Sequence, residues 1–350
     1  MVIAKKNDAG SAIKPAGGAV LWRGEDLKNS DAWIHHFTPG QITEIEAALQ
    51  GVRKRGLSLL EITRQDFPLP GLSDVIEGLQ CELEGGRGFH LLRGLPVDKY
   101  SPEETEIVYW GLGTHLGQAV SQDFDGHIFG HVYDRGSDYT LETARGYQTN
   151  RPLNFHSDST DVVGLLCYRK AKSGGESLLV SSMTLHNEML EQRPDLLEEL
   201  YRPYCLERKG EPRKDRKPYY EIPVFSQLDG QVTSRYNRAF ITRGHAYPEV
   251  PSLTDAQTEA LDMLDALARR EDLCLVMDLQ LGDIQWVNNY ATLHGRNDFA
   301  DHEEEDRKRH MLRLWLTLHK GRRLPDCFLG MYSSIEAGQP RTGFPPAGAS

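Results

Sequence analysis

The sequence Asn-Phe-His-Ser-Asp, residues 154–158, lies near the middle of the chain and predicts the centre of a metal site. In an extended backbone, side chains two positions apart point to the same side of the strand. The imidazole of His156 and the carboxylate of Asp158 can therefore reach one ion together. Two ligands on one face make half of a metal site, so a further protein ligand is expected from a distant strand.

A second segment, residues 282–296, can supply that ligand. It begins with a Gly-Asp turn and continues with residues typical of a β-strand. It then reaches His294, which is followed by Gly295 and Arg296. Two histidines and one carboxylate on one side of a metal leave the opposite positions open, an arrangement typical of non-haem Fe(II) oxygenases. We therefore interpret His156, Asp158 and His294 as the metal ligands and catalytic centre of such an oxygenase.

Residues 307–318 predict a β-strand. Because side chains along a strand point alternately to its two sides, these residues divide into two different faces. One face carries Arg309, Met311, Arg313 and Trp315, and the other is dominated by leucine. Because arginine is seldom buried without a partner, both arginines need anions if this strand lines the cavity. A dicarboxylate cosubstrate would supply one through a bidentate contact. An ordinary ion pair with an Asp or Glu of the barrel explains the pattern equally well.

Four motifs in this order resemble a known family. They are Phe-His-Ser-Asp at 155–158, Gly-Gly-Glu-Ser at 174–177, the run at 282–296, and the Arg-x3-Arg pair at 309 and 313. Together they are similar to the taurine dioxygenase-like family of Fe(II)/2-oxoglutarate oxygenases, which includes clavaminate synthase-like enzymes. The similarity extends over about residues 85–325, and no single motif carries it.

The resemblance implies a mostly β chain of the α+β class, folded as a double-stranded β-helix (a jelly-roll barrel) with helices packed outside. It implies Fe(II) held by His156, Asp158 and His294, with 2-oxoglutarate chelating the metal and O2 as the oxidant. The implied activity is oxidation, most simply hydroxylation, of a small molecule, with succinate and CO2 as coproducts. Desaturation or cyclisation in secondary metabolism would use the same residues.

The resemblance also implies roles for three residues around the metal. Arg309 and Ser177 match the family positions that bind the distal carboxylate of 2-oxoglutarate. Arg313 matches a position that often contacts the acidic group of the substrate. The acidic loop Asp301–Asp306 is longer than in the taurine enzymes and closer to the clavaminate type, so taurine itself is not the expected substrate.

Composition narrows the partners and the compartment. The 350 residues are 39% hydrophobic and 26% charged, as in folded globular proteins, and the formal net charge of -11 disfavours a nucleic-acid partner. A small molecule, such as an amino acid or another small acid, is the expected substrate. The N-terminus lacks the apolar core of a signal peptide, and no apolar run approaches a membrane span. We expect a cytoplasmic protein without membrane contact, and a homo-oligomer is compatible with the sequence.

The chain divides most simply into three parts. Residues 1–30 predict a loosely held N-terminal arm, because glycine and proline break its periodicity. Residues 31–330 predict one oxygenase domain with helical decorations, and residues 331–350 a C-terminal tail. Within the domain, the turn-rich residues 118–152 are a candidate substrate lid.

Three other interpretations remain open on the sequence. A second metal site could use His127 and His131, although no carboxylate partner is fixed for them. A barrel with Zn(II) or Mn(II) could act as a hydrolase or isomerase through polarised water. A non-catalytic ligand-binding barrel is the third, and the intact set of metal-ligand positions disfavours it.

Overall fold

The computed structural model describes residues 13–136, 148–208 and 216–344. Within these ranges eight α-helices and seventeen β-strands form a mixed α+β fold, which confirms the predicted class. The helices are α1 (Gly24–Leu27), α2 (Pro39–Arg55), α3 (Ser73–Glu84), α4 (Pro102–Leu116), α5 (Ser182–Gln192), α6 (Pro194–Leu200), α7 (Arg238–Gly244) and α8 (Asp255–Ala268). None of the described helices combines the length and the hydropathy needed to cross a membrane.

The strands form two larger sheets and three two-stranded ribbons. They are β1 (Ile34–His36), β2 (Phe89–Arg93), β3 (Gly117–Ala119), β4 (Phe129–Val132), β5 (Leu153–His156), β6 (Val162–Arg169), β7 (Ser173–Gly174), β8 (Ser177–Ser181), β9 (Pro203–Glu207), β10 (Tyr219–Pro223), β11 (Phe225–Leu228), β12 (Gln231–Ser234), β13 (Leu275–Met277), β14 (Ile284–Asn288), β15 (Thr292–Arg296), β16 (Phe299–Ala300) and β17 (His310–Leu318).

The large sheet has the order β1-β2-β14-β6-β17-β3, and β4 also pairs with β17. Helices α2, α3 and α4 cover its outer face, where Ile45, Leu79 and Val108 share a buried cluster with Leu312 and Leu314 of β17. Helix α2 begins with a capping box at its N-terminus and ends at a left-handed glycine. The leucine face of β17 therefore points to the helices and leaves its arginine face for the interior.

The second sheet has the order β13-β8-β15-β5 and is antiparallel throughout. Helices α5, α6 and α8 cover its outer face in another buried cluster. On the inner side, Leu179 and Leu275 belong to the same cluster as Phe89, Val163 and Met311 of the large sheet. The two sheets thus face each other, and the space between them is available for a site.

The N-terminal segment is packed over its described part, residues 13–30. Trp22 is buried, and its indole N–H donates to the backbone oxygen of Arg87 at 2.8 Å. Arg23 forms an ion pair with Glu188 at 2.8 Å. The expectation of a loosely held arm is therefore wrong for these residues, because aromatic burial and ion pairs fix them. Residues 1–12 lie outside the described part.

The C-terminal residues 331–344 also pack onto the sheets. Arg341 and Asp161 are buried, with 2.7 Å between Nε and Oδ1. The hydroxyl of Tyr290 donates to the same carboxylate oxygen at 2.7 Å, and the backbone N–H of Leu318 donates to the other at 3.2 Å. Residues 331–344 are thus part of the folded body, in contrast to the tail that the sequence predicted. Residues 345–350 lie outside the described part.

The substitution Asp161→Asn tests this buried ion pair. It keeps the size of the side chain and removes the charge that faces Arg341. Because the arginine then stays buried without a counter-charge, we expect the free energy of unfolding to fall by about 3 kcal/mol or more in urea titrations. The control Asp326→Asn breaks an exposed pair with Arg323 and should leave the urea midpoint unchanged. Equal midpoints for both variants would contradict the prediction.

Candidate metal centre

The pairing of β5 with β15 brings the three predicted ligands together. His294 lies directly opposite His156 in this antiparallel pair, with 4.4 Å between the ring centroids. Asp158 follows two residues after His156, and its two carboxylate oxygens lie 3.7 Å from Nε2 of His156 and 3.8 Å from Nε2 of His294. One ligand atom from each residue lies within 4.8 Å of the others. The predicted pair of histidines and the carboxylate therefore share one position in space.

Both imidazoles can present a lone pair. Nδ1 of His156 lies 2.8 Å from the backbone oxygen of Asn154, which can only accept, so Nδ1 carries the proton and Nε2 is free. For His294, burial above all, and the neighbouring His156, lower the pKa to about 3, so its ring is neutral at pH 7. Neutral imidazole is the form that binds a metal.

Asp158 is held as a carboxylate by its surroundings. Burial works to raise its pKa, but His294, Arg313, His156 and a hydrogen bond outweigh it and leave the pKa below its ordinary value. That hydrogen bond comes from the indole N–H of Trp315, which donates to Oδ2 at 2.9 Å. The carboxylate is therefore ionised and oriented, as a metal ligand requires.

A cavity of about 340 Å³ opens in front of these three residues. It is lined by Arg309, which directly precedes β17, and by Met311, Arg313 and Trp315 of that strand, as the alternation of the sequence predicts. Ser177, at the start of β8, lines it as well. All six residues predicted for the site therefore border the same cavity.

Arg309 is a buried cation whose guanidinium lacks an anionic partner among the described residues. It is 5% exposed, and its Nη1 has no hydrogen-bond partner in the part of the chain that the structure describes. Its burial lowers the pKa of the guanidinium. A Cβ on Gly175, which has a φ of +79°, would lie 3.1 Å from Nε of Arg309, so the Gly-Gly turn makes room for this side chain. The group is placed to receive an anion.

Ser177 and Arg313 already have polar neighbours in the cavity wall. The hydroxyl of Ser177 donates to Oε1 of Gln285 at 3.0 Å. Nε of Arg313 donates to Oε1 of Gln122 at 2.7 Å, and its guanidinium lies 5.1 Å from the ring centroid of Trp315. To donate to a carboxylate, the Ser177 hydroxyl has to rotate away from Gln285.

Three residues that have no role assigned from the sequence complete the site. Trp315 binds the Asp158 carboxylate, and Arg296 and Phe344 line the cavity. The ring of Phe344 packs on Trp315 with 5.7 Å between centroids. Arg296 could have been found from the sequence, because it lies two positions after His294 on the same strand and shares its face. No sequence pattern links residue 344 to the site.

The alternative metal site is not assembled as proposed. His127 lies with Asp123 and Asp125 in an exposed group, and its Nδ1 is 2.9 Å from Asp123. His131 lies elsewhere, with Nδ1 at 2.9 Å from Nε2 of His310. Of the candidate lid at 118–152, residues 137–147 lie outside the described part, and the described remainder brings Val132 to the cavity.

Comparison with known proteins identifies the family of this chain. Residues 56–315 match the model of the taurine catabolism dioxygenase TauD, TfdA family. The chain is 33% identical over 321 residues to the FR-33289 synthase of Streptomyces rubellomurinus, covering 89% of this chain and 93% of the synthase. It is 29% identical over 316 residues to the taurine hydroxylase-like protein SAT17 of Stachybotrys chartarum, covering 87% of this chain and 80% of that protein.

Among solved structures, the fold is similar to that of an asparagine oxygenase crystallised with Fe(II), 3-hydroxyasparagine and succinate. The TM-score is 0.63 at 17% identity, covering 81% of this chain and 93% of the oxygenase. The match to the family model covers well over half of the sequence. The chain therefore belongs to the taurine catabolism dioxygenase TauD, TfdA family, which confirms the family and the dioxygenase class predicted from the sequence.

Proposed function

We propose that this dioxygenase binds Fe(II) through His156, Asp158 and His294 and uses 2-oxoglutarate to oxidise a small acidic molecule, most simply by hydroxylation. The observation that carries this proposal is the buried guanidinium of Arg309, which borders the same cavity as the three ligand atoms. Two imidazoles and one carboxylate fit Fe(II), and a buried cation fits the distal carboxylate of the cosubstrate.

We further propose that the two facing sheets form a double-stranded β-helix. The similarity to the asparagine oxygenase fold supports this arrangement. Residues 31–330 as one domain, homo-oligomeric assembly and a cytoplasmic location stay predictions.

Different residues of the chain have different roles in the proposed reaction. Bound Fe(II) and 2-oxoglutarate supply the oxidising chemistry, which consumes O2 and yields succinate and CO2. The three ligands occupy one side of the metal position and leave the side facing the cavity open. Arg309 orients the cosubstrate through its distal carboxylate, with Ser177 as a second donor. Apolar walls, including Met311 and Phe344, exclude water from the reacting atoms.

Arg313 supports an acidic substrate. It borders the cavity, is 8% exposed and stacks against Trp315, whose indole binds the Asp158 carboxylate. An acidic group bound by Arg313 would therefore lie close to the metal centre. The hydroxyasparagine present in the similar asparagine oxygenase structure supports an amino acid or a related small acid as the substrate class.

Substrate-triggered consumption of O2 and 2-oxoglutarate tests the proposed function. We would screen amino acids and other small acids with the Fe(II)-loaded enzyme and measure succinate by chromatography. An active compound should yield one succinate for each 2-oxoglutarate consumed, and the Asp158→Ala variant should yield none. Hydrolysis or isomerisation of a compound without succinate formation would favour the Zn(II) or Mn(II) enzyme instead.

Removal of a metal ligand should abolish iron binding. In His156→Ala or Asp158→Ala, one of three protein ligands is lost, and we expect no stoichiometric Fe(II) binding in anaerobic titrations and no turnover. His127→Ala, a change in the exposed Asp123 group, is the matched control and should bind one Fe(II) like the unchanged chain. Full activity in either ligand variant would show that the ligand assignment is mistaken.

Removal of the Arg309 guanidinium should raise the 2-oxoglutarate requirement. Arg309→Ala removes a charged donor from the far carboxylate of the cosubstrate in a largely buried wall, so we expect KM for 2-oxoglutarate to rise about 30-fold or more. Arg313→Ala should instead raise KM for the primary substrate. If KM for 2-oxoglutarate rises only in the Arg313 variant, Arg313 and not Arg309 binds the cosubstrate.

A further inference from the structure

We propose that Arg296 is a second guanidinium in the site of the cosubstrate's distal carboxylate, so that a five-carbon 2-oxo diacid is held by Arg296 together with Arg309. This inference rests on the proposed function and extends it, because neither the motifs nor the comparisons assign a role to Arg296. The structure carries it through the position, the burial and the hydrogen bonds of this side chain.

The position of Arg296 places it beside the other cosubstrate residues. It lies two residues after His294 on β15, and both line the cavity. In the pairing of β15 with β8, Arg296 lies directly opposite Ser177. Directly opposed residues on neighbouring strands have adjacent side chains. The strand register therefore brings Arg296 to the hydroxyl that is expected to contact the distal carboxylate.

Arg296 and Arg309 also pack against one aromatic ring. Their guanidinium carbons lie 4.7 Å and 5.1 Å from the ring centroid of Phe299. Each side chain is 5% exposed. Two like charges are thus held in one buried wall, an arrangement that is unfavourable unless an anion joins them.

The hydrogen bonds of Arg296 do not supply that anion. Its Nη2 donates to the backbone oxygens of Thr149, at 2.8 Å, and Arg151, and its Nε donates to the backbone oxygen of Asn297 at 3.2 Å. All three acceptors are neutral. Its Nη1 is buried and has no partner among the described residues. One donor of the guanidinium therefore remains for a ligand.

The nearby carboxylate of Asp301 attracts the charge of Arg309 from a distance but forms no salt bridge with its guanidinium. Its Oδ1 accepts the backbone N–H of Arg309 at 2.8 Å, and its Oδ2 has no partner in the described part of the chain. Within the described ranges, neither Arg296 nor Arg309 forms a salt bridge. The unpartnered Nη1 atoms of both arginines are therefore the donors that an incoming carboxylate would meet.

The chemistry of a carboxylate matches this set of donors. An ionised carboxylate has two oxygens with about four acceptor positions, and it prefers charged donors in a forked arrangement. Arg309, Ser177 and Nη1 of Arg296 together offer enough donors to saturate it. A 2-oxo acid without a distal carboxylate would leave both guanidinium groups unpaired, so this wall should select for the diacid.

Binding measurements without turnover test the role of Arg296. Isothermal titration of 2-oxoglutarate into the Mn(II)-loaded protein under nitrogen compares the unchanged chain with Arg296→Gln and Arg296→Lys. We expect Kd for 2-oxoglutarate to rise about tenfold or more in Arg296→Gln and by a smaller factor in Arg296→Lys. Kd for pyruvate, which lacks the distal carboxylate, should stay the same in all three proteins.

Two further proteins separate the outcomes. Arg322→Gln removes another largely buried arginine, paired with Glu84, and should lower stability without changing either Kd. Arg309→Ala should raise Kd for 2-oxoglutarate in the same titration. If it does not, the cosubstrate assignment in the proposed function fails. If Arg309→Ala weakens binding but both Arg296 variants bind 2-oxoglutarate normally, the inference is overturned.

A structural role for Arg296 would give a different pattern. If Arg296 only fixed the backbone at residues 149 and 151, its variants would raise Kd for 2-oxoglutarate and Kd for pyruvate by the same factor. This result would also overturn the inference. Thermal unfolding of each variant identifies loss of the fold. If Arg296→Gln does not fold, the comparison is made with Arg296→Lys. This variant must still raise Kd for 2-oxoglutarate while Kd for pyruvate stays the same.

Discussion

The register of β15 between β5 and β8 is the constraint on which the site depends. It sets His294 opposite His156, although 138 positions separate them in the sequence, and it sets Arg296 opposite Ser177. Because side chains alternate along a strand, a slip of one residue would turn His294 to the helix-covered face. Because β15 is hydrogen-bonded to a neighbouring strand on each edge, both neighbours fix its register. The metal position and the proposed cosubstrate position are therefore fixed together.

Two buried arginines in this chain show how a residue of the fold differs from a residue placed for a ligand. Arg341 is fully partnered, because Asp161 pairs with it and backbone oxygens accept its other donors. Arg309 is also buried, yet its Nη1 is left without a partner among the described residues. A buried charge that is satisfied within the protein belongs to the fold, because loss of its partner would leave an uncompensated charge in the interior. A buried charge whose donors remain open, in a cavity, is placed for a ligand.

Much of the metal site could be predicted from the sequence because local rules govern it. The spacing of His156 and Asp158 in an extended segment places them on one side, and the alternation of 309–318 separates cavity residues from core residues, as the structure shows. The contact of Trp315 with Asp158 could not be predicted, because it depends on how two distant strands cross. The terminal segments were misjudged for a related reason. Their glycine and proline residues indicate irregular backbone, but irregular backbone can still be buried when single side chains such as Trp22 and Arg341 anchor it.

The aromatic wall at the C-terminal end has an evolutionary consequence. Phe344 borders the cavity but lies beyond residues 56–315, the part that matches the family. It is anchored through Arg341 to Asp161, which is not among the proposed iron ligands. Changes at residue 344 can therefore reshape the space available to the substrate while the strands that carry the ligands stay untouched. Because residue 344 lies outside the stretch that carries the ligands, this part of the substrate space can diverge in descendants of the chain without changing the residues for oxygen chemistry.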